Sequence, residues 1–190
     1  MERIAALYRR LGLTPRFRSP PLDPAGLSAH LRSTGWREAY ESLVTCGPIL
    51  PLARADAAVE FLAAPDAAWL EVIGTADYQS AARHAEKQQV VALFTIPASW
   101  LILRVEGVAA AAMAATCDGE FCGIFDLAVR PEFRRRGLEQ RLIGAAGNWA
   151  AAKGAWQRFA QVAASNTASR QLQAGMGLMD LYCYRYFLAA

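Results

Sequence analysis

The chain has 190 residues, 54% hydrophobic and 19% charged, which supplies a sizeable buried core and excludes a disordered, highly charged tail protein. Twenty basic against 17 acidic side chains leave a net charge of +3, too even a balance to mark a nucleic-acid surface by itself. Any partner must therefore be read from local clusters.

In chain order, residues 2–11 predict a short helix with Ile4, Leu7, Tyr8 and Leu11 on one face and Gly12 as its stop. Residues 14–21 carry Pro15, Pro20 and Pro21, so they break regular structure or form an edge strand, because proline cannot donate to a ladder. Pro24 to Thr34 has Leu27, His30 and Leu31 at helical spacing, and Trp36 to Cys46 reads as a strand. Pro48 and Pro51 mark the expected boundary, with residues 1–50 as an N-terminal segment and 55–190 as the main domain. Two helices follow, near 65–74 and 77–88. Asp66 is placed to cap the first, with Trp69, Leu70 and Ile73 on its buried face. Strands are expected at Trp100–Val105, Val108–Thr116 and Phe121–Val129, separated by turns at Glu106-Gly107 and Asp118-Gly119. A long helix, Leu138 to about Ala152, turns Leu142, Ile143, Ala146 and Trp149 inward. A strand at Trp156–Ala163, a helix at about Thr167–Ala174 and an aromatic strand at Met179–Leu188 complete the chain. This order predicts a mixed α/β fold with a largely antiparallel sheet flanked by helices.

Four cysteines, Cys46, Cys117, Cys122 and Cys183, form no C-x-x-C pair, and the two histidines, His30 and His84, stand outside ligand spacing. No metal is expected, and reduced, partly buried thiols fit a cytoplasmic chain. Arg9 and Arg10 interrupt any signal-peptide core, and the alanine-rich 141–155 run holds Asn148, Lys153 and three glycines, so no membrane partner is expected either.

Residues 125–143 carry the chemistry: a strand, a Pro-initiated turn, a basic glycine-containing loop and an amphipathic helix. Such a loop presents backbone N–H groups to an anion, and the helix dipole adds roughly half a positive charge there. Arg130, Arg134, Arg135 and Arg136 add charge matched to phosphate oxygens. On the loop alone, a solvated basic turn opening a helix reads equally well.

The wider order resembles the GCN5-related N-acetyltransferases, in which a strand ending L-x-V-x-P precedes the acetyl-CoA pyrophosphate loop R/Q-x-x-G-x-G/A. The matching residues are Leu127-Ala128-Val129-Arg130-Pro131 and Arg134-Arg135-Arg136-Gly137-Leu138-Glu139. The later element N-x-x-A-x-x-L-Y-x-x-x-G-F corresponds to Asn166 through Leu178. This resemblance implies that Leu127 and Val129 offer backbone groups to the pantetheine arm and acetyl carbonyl, where the strand splays from its neighbour. It implies that Arg134, Arg135, Arg136, Gly137, Leu138, Glu139 and Gln140 wrap the pyrophosphate, and that Asn166 reaches the cofactor arm. An amine of a small molecule or peptide would attack the thioester directly, helped by a base and an acid. Asp126 is the preferred base, with Asp118 and Glu120 as rivals. A homodimer stays open.

Two positions depart from the family pattern. Glu139 puts a carboxylate where bare backbone faces the phosphates; two charges about 5 Å apart repel by roughly 3 kcal/mol at an effective dielectric near 20. In the first helical turn the same acid also favours the dipole. The family's acidic tyrosine falls on Gln173, which cannot protonate a thiolate, and Tyr182, Tyr184 and Tyr186 are alternative donors or packing residues. These departures motivate a rival reading, a catalytically weak module that binds CoA or a protein partner. Nucleic-acid binding through Arg130–Arg136 ranks last, because no aromatic platform accompanies the charge. Finally, Leu7, Gly12 and Leu13 echo Leu172, Gly177 and Leu178. Residues 1–50 are therefore expected to be the tail of a degenerate first acetyltransferase-like unit.

Overall fold

The structure, a computed structural model, describes residues 2–76 and 81–189. Residues 77–80, which open the second helix expected after the boundary, lie outside the described residues, and that helix is described from Ala81. The chain forms two compact units, Cys46–Ala160 and Met1–Thr45 with Gln161–Ala190.

The larger unit holds β3 (Val59–Leu62), α3 (Ala67–Ile73), α4 (Ala81–Val90), β4 (Ala98–Val105), β5 (Val108–Asp118), β6 (Phe121–Val129) and α5 (Leu138–Ala151). Its strands follow the order β7-β6-β5-β4-β3, where β7 spans Gln157–Ala163 and crosses the unit boundary at its end. All neighbours are antiparallel except β6 and β7, which are parallel. The smaller unit holds α1 (Glu2–Arg10), β1 (Arg16–Ser19), α2 (Leu27–Ser33), most of β2 (Arg37–Pro48), α6 (Thr167–Gly175) and β8 (Met179–Leu188). There β8 lies between β1 and β2, and β1 pairs antiparallel with it. The fold is mixed α/β and largely antiparallel, as the element order predicts.

The two tight hairpins follow from their turn residues. Glu106 and Gly107 both take positive φ, 51° and 82°, between the paired Val105 and Val108, the geometry that matches strand twist. β4 and β5 are apolar at nearly every position because both of their faces are covered. Trp100, Ile102 and Ala112 pack with Trp69, Val72 and Ile73 of α3, whereas Cys117 meets the Ala150 carbonyl of α5 at 3.9 Å. The run Ala109–Ala112 is small enough for helices to approach both sides.

Asp66 caps α3 as expected, its Oδ1 accepting the Trp69 N–H at 2.7 Å. α5 is held close to the preceding loop through its glycines: a Cβ on Gly144 would stand 2.9 Å from the Leu52 carbonyl oxygen, and Arg54 N–H donates to the Gly144 carbonyl at 3.0 Å. Three outcomes differ from the sequence reading. β3 was not anticipated, since four residues are too short for alternation to stand out. Trp149 is only half-buried, with the Lys153 ammonium rather than core side chains over one ring face at 5.1 Å. On α1 only Ala5 is buried, while Ile4, Leu7 and Leu11 stay exposed.

Candidate cofactor site

The site grows from an irregularity in β6. Ala112 faces Ala128 and Ala114 faces Phe125, so Asp126 and Leu127 together stand opposite Met113, which is a β-bulge. Asp126 takes φ 53°, a left-handed conformation that Asp tolerates better than most residues. The ladder carbonyl of Met113 is instead taken by the Trp69 indole N–H at 2.9 Å. On its other side β6 runs parallel to β7, in register from Phe121 to Ile124.

The re-aimed Asp126 carboxylate meets Lys87 of α4, with Nζ 2.5 Å from Oδ1 and side-chain exposures of 17% and 24%. One helical turn earlier on α4, His84 has its Nε2 buried with no hydrogen-bond partner among the described residues. Sequence reasoning weighs His84 only as a metal ligand and passes over Lys87, because nothing in the spacing of α4 shows that its face meets the bulge. The rival carboxylates lie at the hairpin turn at the opposite end of β6, Asp118 at the end of β5 and Glu120 within the turn itself. At about 3.3 Å per residue, the eight residue-to-residue steps from Phe121 to Val129 separate them from the loop by about 26 Å.

After Val129 the chain makes one 3₁₀ turn, Pro131–Phe133, and enters the basic loop. Arg135 and Gly137 take φ 61° and 72°. Gly137 is the N-cap of α5 and provides no side-chain acceptor. The first N–H groups of α5, on Leu138, Glu139 and Gln140, have no carbonyl acceptor within the helix, a helix end of the kind that suits an anion. Glu139 is half-buried and Gln140 exposed. The helix start is pinned by Arg141, whose guanidinium donates to both Asp56 carboxylate oxygens at 2.7 and 3.0 Å. That pair holds the Asp56 carboxyl below its usual range.

The arginines divide by partner. Arg130 is turned away from the loop, donating to the Ala109 carbonyl at 2.7 Å and pairing with Glu71 at 2.8 Å. Arg134 Nε reaches the Val129 carbonyl at 3.3 Å. Arg136 reaches the Glu132 carbonyl and stacks over Phe133, and Arg135 is exposed. One cation of the expected four therefore serves the framework.

Asn166 belongs to the smaller unit. Its Oδ1 accepts the Ser169 N–H at 3.0 Å and caps α6. Gln173 is buried there and hydrogen-bonded: Thr45 Oγ1 donates to its Oε1 at 2.5 Å, and its Nε2 donates to Ser169 Oγ at 3.3 Å. Tyr184 is committed too, donating to Gln161 at 2.7 Å beneath the Arg18 guanidinium. Among the described residues no group of three His, Cys, Asp or Glu is placed to hold a metal ion, and no helix is long and apolar enough to cross a membrane.

The family model described as "Probable histone acetyltransferase Rv0428c C-terminal" matches residues 1–187. No curated protein sequence matches. Among solved structures, a functionally unknown conserved protein from Staphylococcus epidermidis superposes with a TM-score of 0.72 at 12% identity, over 97% of this chain and 75% of that one. A GCN5-related N-acetyltransferase from Kribbella flavida gives 0.70 at 14% identity, over 99% and 73%. A tandem GNAT protein from the clavulanic acid biosynthesis pathway gives 0.67 at 15%, over 97% and 66%. The chain belongs to the family described as the C-terminal part of the probable histone acetyltransferase Rv0428c, and its fold is that of the GCN5-related N-acetyltransferases.

Proposed function

We propose that the protein moves an acetyl group from acetyl-CoA to an amine of a small molecule or peptide by direct attack. The observation that carries this reading is the continuity of the β6 bulge, the end of β6 at Val129 and the N-terminus of α5, which lacks a side-chain cap, within fifteen residues, Asp126 to Gln140. Leu127 and Val129 would hold the pantetheine arm and the acyl carbonyl. The backbone of Arg134 to Gln140 would hold the pyrophosphate, since an anion there meets N–H groups and the positive end of a 14-residue helix. Acetyl-CoA, as co-substrate, supplies the thioester. The chain's part is to orient it, and Asp126 would take the proton of the incoming ammonium. The family's description favours a peptide amine among acceptors. Residues 1–50 as the tail of a degenerate first unit remain part of this reading, in keeping with the likeness to a tandem GNAT protein, as do a cytoplasmic setting and a homodimer.

Gln173 favours a second reading, a weak or inactive module that binds CoA or a protein partner. It stands at the family's tyrosine position, its amide is already engaged, and it has no proton to give a thiolate. Thermal unfolding with acetyl-CoA tests both readings. At about 100 times its dissociation constant the ligand should add about 2.7 kcal/mol and raise Tm. No shift with acetyl-CoA, propionyl-CoA or free CoA rejects both. A shift without thiol release across a broad amine panel selects the module.

A further inference from the structure

Lys87 stands out against the composition of the chain. Of its 20 basic residues, 18 are arginine and two are lysine, Lys87 and Lys153. The other ion pairs described for the chain are all made by arginine. A guanidinium would bind a carboxylate at least as well, in a two-pronged geometry, and would never lose its proton. Among the described residues, the one pair made by an amine is the pair at the bulge of the cofactor strand. There Lys87 Nζ is 2.5 Å from Asp126, its side chain 17% exposed, and Asp126 directly precedes Leu127, the residue assigned to the acyl arm.

We propose, on the basis of the acetyl-CoA reading above, that Lys87 is itself an acetyl acceptor and that the protein acetylates its own Lys87. The ammonium passes one proton to the Asp126 carboxylate, which releases it to solvent. The freed amine adds to the thioester carbonyl and forms the N–C bond. The C–S bond then breaks, and the departing thiolate takes the second nitrogen-bound proton, so the products are acetyl-Lys87 and free CoA. The product carries no charge. The ion pair with Asp126 is thereby lost, and the carboxylate at the bulge becomes available to the ammonium of an external acceptor. Lys87 thus occupies the acceptor position until it is modified.

The experiment uses the full chain, isotopically labelled acetyl-CoA and peptide mass spectrometry, with the Tm shift by acetyl-CoA measured on the same sample. Lys153 is exposed and serves as the internal reference for uncatalysed acetylation. The expected result is label on Lys87 well before Lys153, against their order of exposure, at a rate independent of protein concentration and lost on heat unfolding. Asp126→Asn should keep the Tm shift and slow Lys87 labelling by about a hundredfold, the usual worth of a positioned base. Lys87→Arg should remove labelling at that peptide and keep the Tm shift. Labelling of Lys153 as fast as Lys87, or equal labelling of folded and unfolded chain, overturns the proposal. A Tm shift with no label on Lys87 also overturns it and leaves the acetyl-CoA reading standing. No Tm shift and no label removes both.

Discussion

Asp126 shows how much a single residue depends on its surroundings. In the sequence it is one carboxylate among several near a strand, and only the two-against-one pairing opposite Met113 turns it onto Lys87. Cysteine offers a sharper contrast. Cys122 faces Cys117 across the hairpin and Arg158 on the parallel side. Burial pushes its thiol up to about 12, with Cys117 adding to the rise and Arg158 opposing it. Arg158, fully buried, is pulled down to about 10 by the same desolvation. Iodoacetamide at neutral pH should therefore modify the half-exposed Cys46 and Cys183 and spare Cys117 and Cys122, with the sites read by peptide mapping. Because the folded value lies above the ordinary 9.0, the stability due to neutral Cys122 is complete below pH 9.0. It is lost as pH rises towards about 12. Cys122→Ala should flatten that part of the alkaline limb in chemical denaturation. The thiols were legible as reduced and partly buried, but which two were buried depended on a hairpin register that fixes which residues face α5.

At the scale of elements, the helix α5 was legible almost to the residue, and its close approach to residues 49–54 was not. Gly144 and Gly147 read as weak points in a helix, since glycine costs about 1 kcal/mol against alanine. Only the packed structure separates them. Gly144→Ala would press a methyl to 2.9 Å from the Leu52 carbonyl oxygen, a backbone atom, and the net effect should be a loss of about 1–2 kcal/mol after the propensity gain. Gly147→Ala meets Ile49 and Ala53 at 3.5 Å or more, so the propensity gain should survive and raise stability by about 0.5–1 kcal/mol. Urea unfolding of the two variants checks the contrast, and equal effects would contradict the packing argument. A similar distinction holds for Asn166. The resemblance gives it to the cofactor, and the structure gives its side chain to the Ser169 N–H, a cap worth about 1 kcal/mol.

At the scale of the molecule, the sequence placed a domain at 55–190, and compact packing groups Gln161–Ala190 with Met1–Thr45. β1 pairs with β8 from Arg16↔Leu188 to Ser19↔Arg185, Arg18 covers the Tyr184 ring at 3.8 Å, and Thr45 holds Gln173. A chain lacking residues 1–45 should therefore lose the order of α6 and β8. Hydrogen exchange should show it as rapid exchange across 167–188, with β4, β5 and β6 still protected. Persisting protection of β8 would show that those pairings contribute little. By itself the sequence determined the element order apart from β3, the hairpin turns, the Asp66 cap and the basic glycine-containing loop that opens α5. All of these are set by residues within a few positions of one another, through periodicity, glycine and proline conformation and helix-end chemistry. Tertiary structure alone decided the bulge that turns Asp126 to Lys87, the framework role of Arg130, the burial of Cys122 and Arg158, and the company kept by the two ends of the chain. Each of these joins residues distant in sequence, and strand register and side-chain volume, which no local pattern encodes, determine which of them meet.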